Sequence, residues 1–418
     1  MGQLGVADLE AVVTVHEVDG YDSDDGGDPP SQVPLAALTW DGSLAMAGRH
    51  VVVATPGLHL HGRLRLPATA LGSQSNAVLV AGVDGSVEVL HTGATAPTPL
   101  APIPLAPTHT GAAAVTAMTH GGLGHTLMLH TDGSVTAFGD NAYGQCCAAC
   151  DAMPSRVVLP GGSADVVCSI AAGWHHSAAV TARGELFTWG LNTFGQCGTP
   201  SDSCRGTPTP AAAVAGSKRA RDDGGGGALP PPPTDADALS LADVRVGTPT
   251  LVSTPRLHIV AVACGGAHTL VLARDGTLLA VGNGIHGQLG LPCALAPDLS
   301  PADAASPCDG PGDPLLDGGA TSLCVDTLQA VSWPLPAPPV AIAAGGRYSL
   351  AAAADGSAAA WGAAALPVQS TVPPCTWRLQ RFTLTPTRLP PLSATCAAGR
   401  LSLLAASRTH YLLHAHVP

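Results

Sequence analysis

Four stretches of this chain repeat one pattern at fixed offsets, and a period of that kind limits the fold before any other property does. A glycine, two residues and then a ring side chain open each copy: Gly122 and His125, Gly173 and His176, Gly265 and His268, Gly345 and Tyr348. Serine or threonine follows each ring. The pairs Asp132-Gly133, Arg183-Gly184, Asp275-Gly276 and Asp355-Gly356 come next at a constant distance, then Gly139, Gly190, Gly282 and Gly362. Three copies close with Gly144-Gln145, Gly195-Gln196 and Gly287-Gln288.

Each copy reads as a β-meander. "TLMLH", "SAAVT", "TLVLA" and "SLAAA" are apolar runs of strand length, and so are "VTAFG", "LFTWG", "LLAVG" and "AAAWG". The Asp-Gly between the runs predicts a tight hairpin, of type I′ with positive φ at both central residues. A glycine ending the second run marks a sharp bend or a close backbone approach. The interval from Gly122 to Gly173, about fifty residues, fits one four-stranded propeller blade. Weaker copies at 46–62, 76–91 and 396–416 bring the number to seven. The reading is all-β: a single seven-bladed β-propeller over 1–418, of four-stranded blades. "MGQLG" at the start looks like the tail of a unit, and the last unit lacks one. Pairing of the N- and C-terminal segments would then close the ring and remove an exposed sheet edge.

Composition sets the material for that fold. Aromatic residues are 3% and apolar residues 46%, so the core rests on Ala, Val and Leu. Lys plus Arg is 18 against 30 Asp plus Glu, a net charge of −12, which disfavours direct nucleic-acid binding and eases approach of basic proteins. The twelve cysteines show no framework spacing, Asp8 and Glu10 interrupt any leader-like run, and no apolar run reaches membrane-spanning length. The expectation is a monomer with reduced thiols, nuclear or cytoplasmic, and no membrane contact.

Two intervals exceed a blade. Residues 199–247 include "SKRARDDGGGGALPPPP" and read as a disordered insert; residues 293–338 form a Pro- and Asp-rich insert. "YDSDDGGDPP" at 21–30 reads as an acidic loop. Lys218, Arg219 and Arg221 are import-signal candidates, weighed against ordinary solvated charge beside Asp222 and Asp223.

The adjacent His175 and His176 invite a chemical site, but His176 stands in register with His125 and His268, which makes it a packing and hydrogen-bonding position. His175 is off register beside Trp174, and the two are partner-binding candidates. Cys146, Cys147 and Cys150 have no second Cys-x-x-Cys to complete a zinc site, and Cys146 falls where the repeat has Leu. No nucleotide, nucleophile-elbow or zincin motif occurs. No catalytic residue, metal or cofactor is expected.

The combined pattern, Gly-x-x-His-Ser, Asp-Gly, Trp-Gly-x-Asn-x-x-Gly-Gln, resembles the regulator of chromosome condensation repeat family, whose fold is a seven-bladed propeller. The match is specific over Val115–Gly362; Phe138 and Val281 replace the blade Trp, and Gly284 replaces the Asn. The organisation looks most like the branch that partners a Jumonji-type oxygenase. The resemblance implies a protein-interaction scaffold in chromatin or nuclear regulation, with a histone-modifying oxygenase, a chromatin protein or a small GTPase as partner. The alternative it implies is guanine nucleotide exchange on a Ran-like GTPase.

Overall fold

The apolar runs form the hairpins that the repeat predicts. His125–His130 pairs antiparallel with Val135–Gly139, His176–Thr181 with Leu186–Leu191, His268–Ala273 with Leu278–Asn283, and Tyr348–Ala353 with Ala358–Gly362. The turn chemistry differs from expectation. Gly133, Gly184, Gly276 and Gly356 have positive φ, but the residues before them do not. In the first copy the Gly133 N–H donates to His130 O and the His130 N–H to Ser134 O, both at 2.9 Å. This is a type I turn followed by a left-handed glycine, the three-residue hairpin loop, in place of the two-residue type I′ turn. Asp132 braces this turn, its Oδ1 accepting from the Ser134 N–H at 2.9 Å and the Ser134 hydroxyl at 2.6 Å, but Arg183-Gly184 forms the same turn without an aspartate.

The computed structural model describes residues 114–122, 124–147, 154–161, 166–200, 245–254, 256–291, 324–362 and 383–388. It further describes strand segments at 3–4, 35–38, 44–47, 51–54, 68–73, 77–82, 87–91, 101–102, 400–406 and 411–416. Every element among them is a strand. Five sheets have four strands and two have three. Six sheets are simple meanders, the seventh adds Gln3–Leu4 to the hairpin of Arg400–Ala406 and Tyr411–His416, and the first strands of neighbouring blades lie against one another. Leu35–Leu38 contacts both Ala68–Ser73 and Arg400–Ala406, and Gln3–Leu4 pairs with Tyr411–Leu412.

Two boundaries shift. Arg245–Leu251 and Cys324–Ala330 are the fourth strands of their blades, so the 199–247 and 293–338 intervals give up their C-terminal parts to the sheets. Residues 201–244, with Lys218, Arg219 and Arg221, and residues 292–323 lie outside the described residues, as does the 21–30 loop. The blade after Gly345, which has no Gly-Gln, still carries an outer strand at Thr383–Arg388. In the early copy, Val51–Ala54 pairs antiparallel with Leu44–Ala47.

The second strand of each well-described blade is buried along its whole length. Its alternate residues feed two different cores, one against each neighbouring blade. Leu127 and Leu129 pack with Ala172, Ala179, Phe187 and Trp189 of the next blade, while Met128 packs backwards with Leu79 and Val87. Leu270 packs towards Trp361, and Val271 towards Val180 and Leu186. Both faces of these second strands are covered, which is why their runs are continuously apolar instead of alternating.

Gly190 shows how close the backbones come. Its φ is +103°, and a Cβ there would sit 2.4 Å from His175 O. Gly190→Ala is expected to cost about 3 kcal/mol in urea unfolding. Gly247→Ala, where a Cβ would meet nothing within 4 Å, should change little.

Candidate functional site

The in-register rings join one blade to the next. His125 Nε2 lies 2.9 Å from Ser177 Oγ, His176 Nε2 2.9 Å from Thr269 Oγ1, and His268 Nε2 2.9 Å from Ser349 Oγ. Each hydroxyl has a single proton and donates it to the main-chain carbonyl of a Gly-Gln unit. Ser177 donates to Gln145 O at 2.8 Å, Thr269 to Gln196 O at 2.7 Å, and Ser349 to Gln288 O at 2.7 Å. The hydroxyl therefore accepts from histidine, and each ring is the neutral tautomer with its proton on Nε2. Where the blade has a tryptophan, the same carbonyl accepts again: Trp189 Nε1 donates to Gln145 O at 2.8 Å and Trp361 Nε1 to Gln288 O at 2.9 Å. In the blade with Val281 at that position, Gln196 O keeps only the threonine bond.

The Gly-Gln loop is built to aim that carbonyl. Gln145, Gln196 and Gln288 fold back so that Oε1 accepts the N–H of Tyr143, Phe194 and His286 at 2.8 Å. Asn141 Oδ1 accepts the Cys146 N–H, and Asn192 Oδ1 the Cys197 N–H, both at 2.9 Å. Gly284 removes this second brace from the third loop. Cys146 is buried at the position of Leu289, and Cys147 has φ +74° where Gly198 and Gly290 stand, so these thiols belong to the loop's packing. Among the described residues no group of three His, Cys, Asp or Glu is placed to share a metal ion.

A glycine lies beneath each ring because nothing larger fits. A Cβ on Gly173 would lie within 2.4 Å of the His176 ring, and one on Gly265 within 2.5 Å of His268. In the first copy the residue in this position is Gly121, not Gly122: Gly121 accepts the His125 ring and donates its N–H to His125 O at 2.8 Å. The loop there is one residue longer, and Gly122 falls in its turn. At the seam with the degenerate blade, Thr126 has a different partner: His120 Nδ1 lies 2.9 Å from its hydroxyl.

Trp174 and His175 are half-buried on the same end of the blades. Trp174 lies over Gly266 of the next blade, where a Cβ would meet its Cε2 at 2.9 Å, and its N–H donates to Gly266 O. His175 turns the other way, its ring centroid 4.6 Å from that of Tyr143. The two side chains share a face but bridge opposite seams.

Residues 120–145, 167–196 and 259–288 match the regulator of chromosome condensation (RCC1) repeat, and residues 183–222 match a second model of that repeat. These segments are similar to RCC1 repeats. The three segments at 120–145, 167–196 and 259–288 each hold one of the blade-joining, or latch, histidines and end at the Gly-Gln pair that accepts the next blade's hydroxyl. The X-linked retinitis pigmentosa GTPase regulator homologue of Caenorhabditis elegans is 27% identical over 41% of this chain and 10% of its own length. The chain thus spans about a tenth of that relative. Yeast RCC1 (Prp20), solved bound to Kap60, superposes with a TM-score of 0.61 at 17% identity, over 92% of this chain and 80% of that one. Prp20p from Saccharomyces cerevisiae, in a structure described with its binding properties to Gsp1p and histones, gives 0.55 at 17% over 90% and 82%. RCC1-like propellers are therefore the structural neighbours of this chain.

Burial, reinforced at His125 and His176 by neighbouring histidines, pushes the latch histidines far down: His176 and His268 to about 3, and His125 well below its ordinary value. The neutral ring is the folded form, so its contribution is fully present above about pH 6.5 and is lost as pH falls towards 3. Unfolding free energy measured in urea should decline through that window, and less steeply in His268→Gln. Thr269→Val leaves the His176 N–H and Gln196 O both buried without a partner; a loss of about 2–4 kcal/mol is expected in the same measurement.

Proposed function

We propose that this chain is a closed seven-bladed RCC1-type propeller acting as a monomeric protein-interaction scaffold in the nucleus or cytoplasm. The observation that carries the reading is the relay from ring to hydroxyl to Gln carbonyl across three successive seams. It commits the buried polar groups of the repeat to holding blades in register. A ring so fixed presents its loops to a partner at little ordering cost. Closure is supported by the pairing of Gln3–Leu4 with Tyr411–Leu412 and by the contact of Leu35–Leu38 with Arg400–Ala406. Trp174 and His175, half-buried on the loop side, are the proposed contact residues, and Lys218, Arg219 and Arg221 the proposed import signal. The partner class is a chromatin protein or a histone-modifying oxygenase of the Jumonji type.

Guanine nucleotide exchange on a Ran-like GTPase is the second reading. It is favoured by the likeness of fold to Prp20p, whose structure was described with its binding to Gsp1p. One experiment separates the two. The purified chain is mixed with a Ran-like GTPase loaded with fluorescent GDP, and separately with core histones or a Jumonji-type oxygenase. A stoichiometric complex by sedimentation, with nucleotide release unchanged, is the expected result. Release that accelerates with chain concentration would replace the scaffold by the exchange factor.

A further inference from the structure

The three seams joined by latch histidines share one plan, and the middle seam departs from it. Cys146, Cys197 and Leu289 each follow a Gly-Gln pair, while Ala172, Cys264 and Ala344 each precede the glycine beneath a ring of the next blade. In the first seam Cys146 and Ala172 share a core with Trp189. In the third, Leu289 and Ala344 share one with Trp361. The middle seam has Cys197, Cys264 and Val281 in those three positions, so it loses the indole and gains a second thiol.

Side-chain contacts bring the two thiols to the same place. Cys264 lies in the core between the two blades, with Ala178 and Leu186 of one and Val271 and Leu279 of the other. Its Sγ is 3.9 Å from Thr269 Oγ1, and that oxygen is 2.7 Å from Gln196 O, the carbonyl bonded to the nitrogen of Cys197. On the far side of Cys197, a Cβ on Gly198 would lie 3.7 Å from Val281 Cγ1. Both cysteines are buried. Burial pushes the Cys264 thiol up to about 12 and the Cys197 thiol higher, the latter raised further by the charge that Cys264 would carry.

Both sulfurs hold their protons as weak donors. Thr269 gives its own proton to Gln196 O, so the Cys264 S–H donates to Thr269 Oγ1, and the Cys197 S–H donates to Leu191 O at 3.5 Å. Loss of the two thiol protons removes these donors and leaves the bonds of Thr269 to His176 and Gln196 O in place.

We propose that Cys197 and Cys264 are a redox pair whose disulfide staples two blades together at the seam that has no indole clasp. The oxidant is a low-molecular-weight disulfide, RSSR. One protein thiolate attacks it, forming a mixed disulfide and releasing RS⁻. The second thiolate attacks the protein sulfur of that mixed disulfide and expels the other RS⁻. The two thiol protons leave on the two RSH, and the two electrons lost by the protein are those gained by RSSR. Because the thiols are buried and protonated, exchange waits for the seam to open, and the bond then holds it shut. The switch goes beyond the scaffold reading and does not depend on which partner binds.

The test equilibrates the full chain with glutathione disulfide or with dithiothreitol, quenches with N-ethylmaleimide in urea, and reads the digest by mass spectrometry. A peptide joining Cys197 to Cys264 should appear in the oxidised sample alone, and the oxidised chain should melt about 5 °C higher. Two variants copy the repeat's own residues: Cys197→Leu, as at Leu289, and Cys264→Ala, as at Ala172 and Ala344. Each should melt as the reduced parent does and should lose both the joined peptide and the shift. Cys168→Ser, at an exposed thiol, should keep both. Recovery of Cys197 and Cys264 as maleimide adducts from the oxidised parent would overturn the proposal. So would equal melting of the oxidised and reduced parent, or a shift that survives in Cys264→Ala.

Discussion

A main-chain carbonyl in each of three successive Gly-Gln loops is the point on which the packing of these blades depends. Gln145 O and Gln288 O each accept two hydrogen bonds from the next blade, one from a hydroxyl and one from an indole. Both lone pairs of a buried carbonyl are then satisfied by a different sheet from the one that bears it. Hydrophobic packing between blades is strong but tolerant of small slides. A carbonyl, a single hydroxyl proton and an imidazole N–H in series are not, since any slide leaves a buried donor or acceptor unmatched. Register between blades is thus held by polar groups, and cohesion by the alternating residues of the second strand.

This division of labour accounts for the odd composition. With 3% aromatics and much alanine, the sheets approach closely and offer little area per residue. Alanine at 178, 179, 351 and 352 suits that separation, and Trp189 and Trp361 fill a place where a large ring also finds an acceptor. The glycines beneath the latch rings follow from the same closeness, since the ring occupies the space that a side chain would need.

Much of this was legible in the sequence. The strands, their pairing and the turn glycines follow from the offsets, and His176 is recognisable as structural because it stands in register with His125 and His268. The Asp-Gly turn type was misread because type I′ and type I with a left-handed glycine share the same two letters. Arg183-Gly184 takes the same form as the Asp-Gly pairs, so it is the single left-handed glycine that all four copies share. Gly122 was chosen by spacing where Gly121 fills the role, because counting cannot see which residue a one-residue extension displaces. The fourth strands at Arg245–Leu251 and Cys324–Ala330 are polar and follow long Pro-rich segments, so only pairing with the third strand reveals them.

The sequence by itself determined that this chain is built of repeated β-meanders, since alternation of apolar runs with turn glycines is a local property of the backbone. Tertiary structure alone decided what Gly-Gln does and where His175 and Trp174 point. The partners of Gln145 O, Ser177 and Trp189 are separated by tens of residues and meet only when two sheets pack face to face.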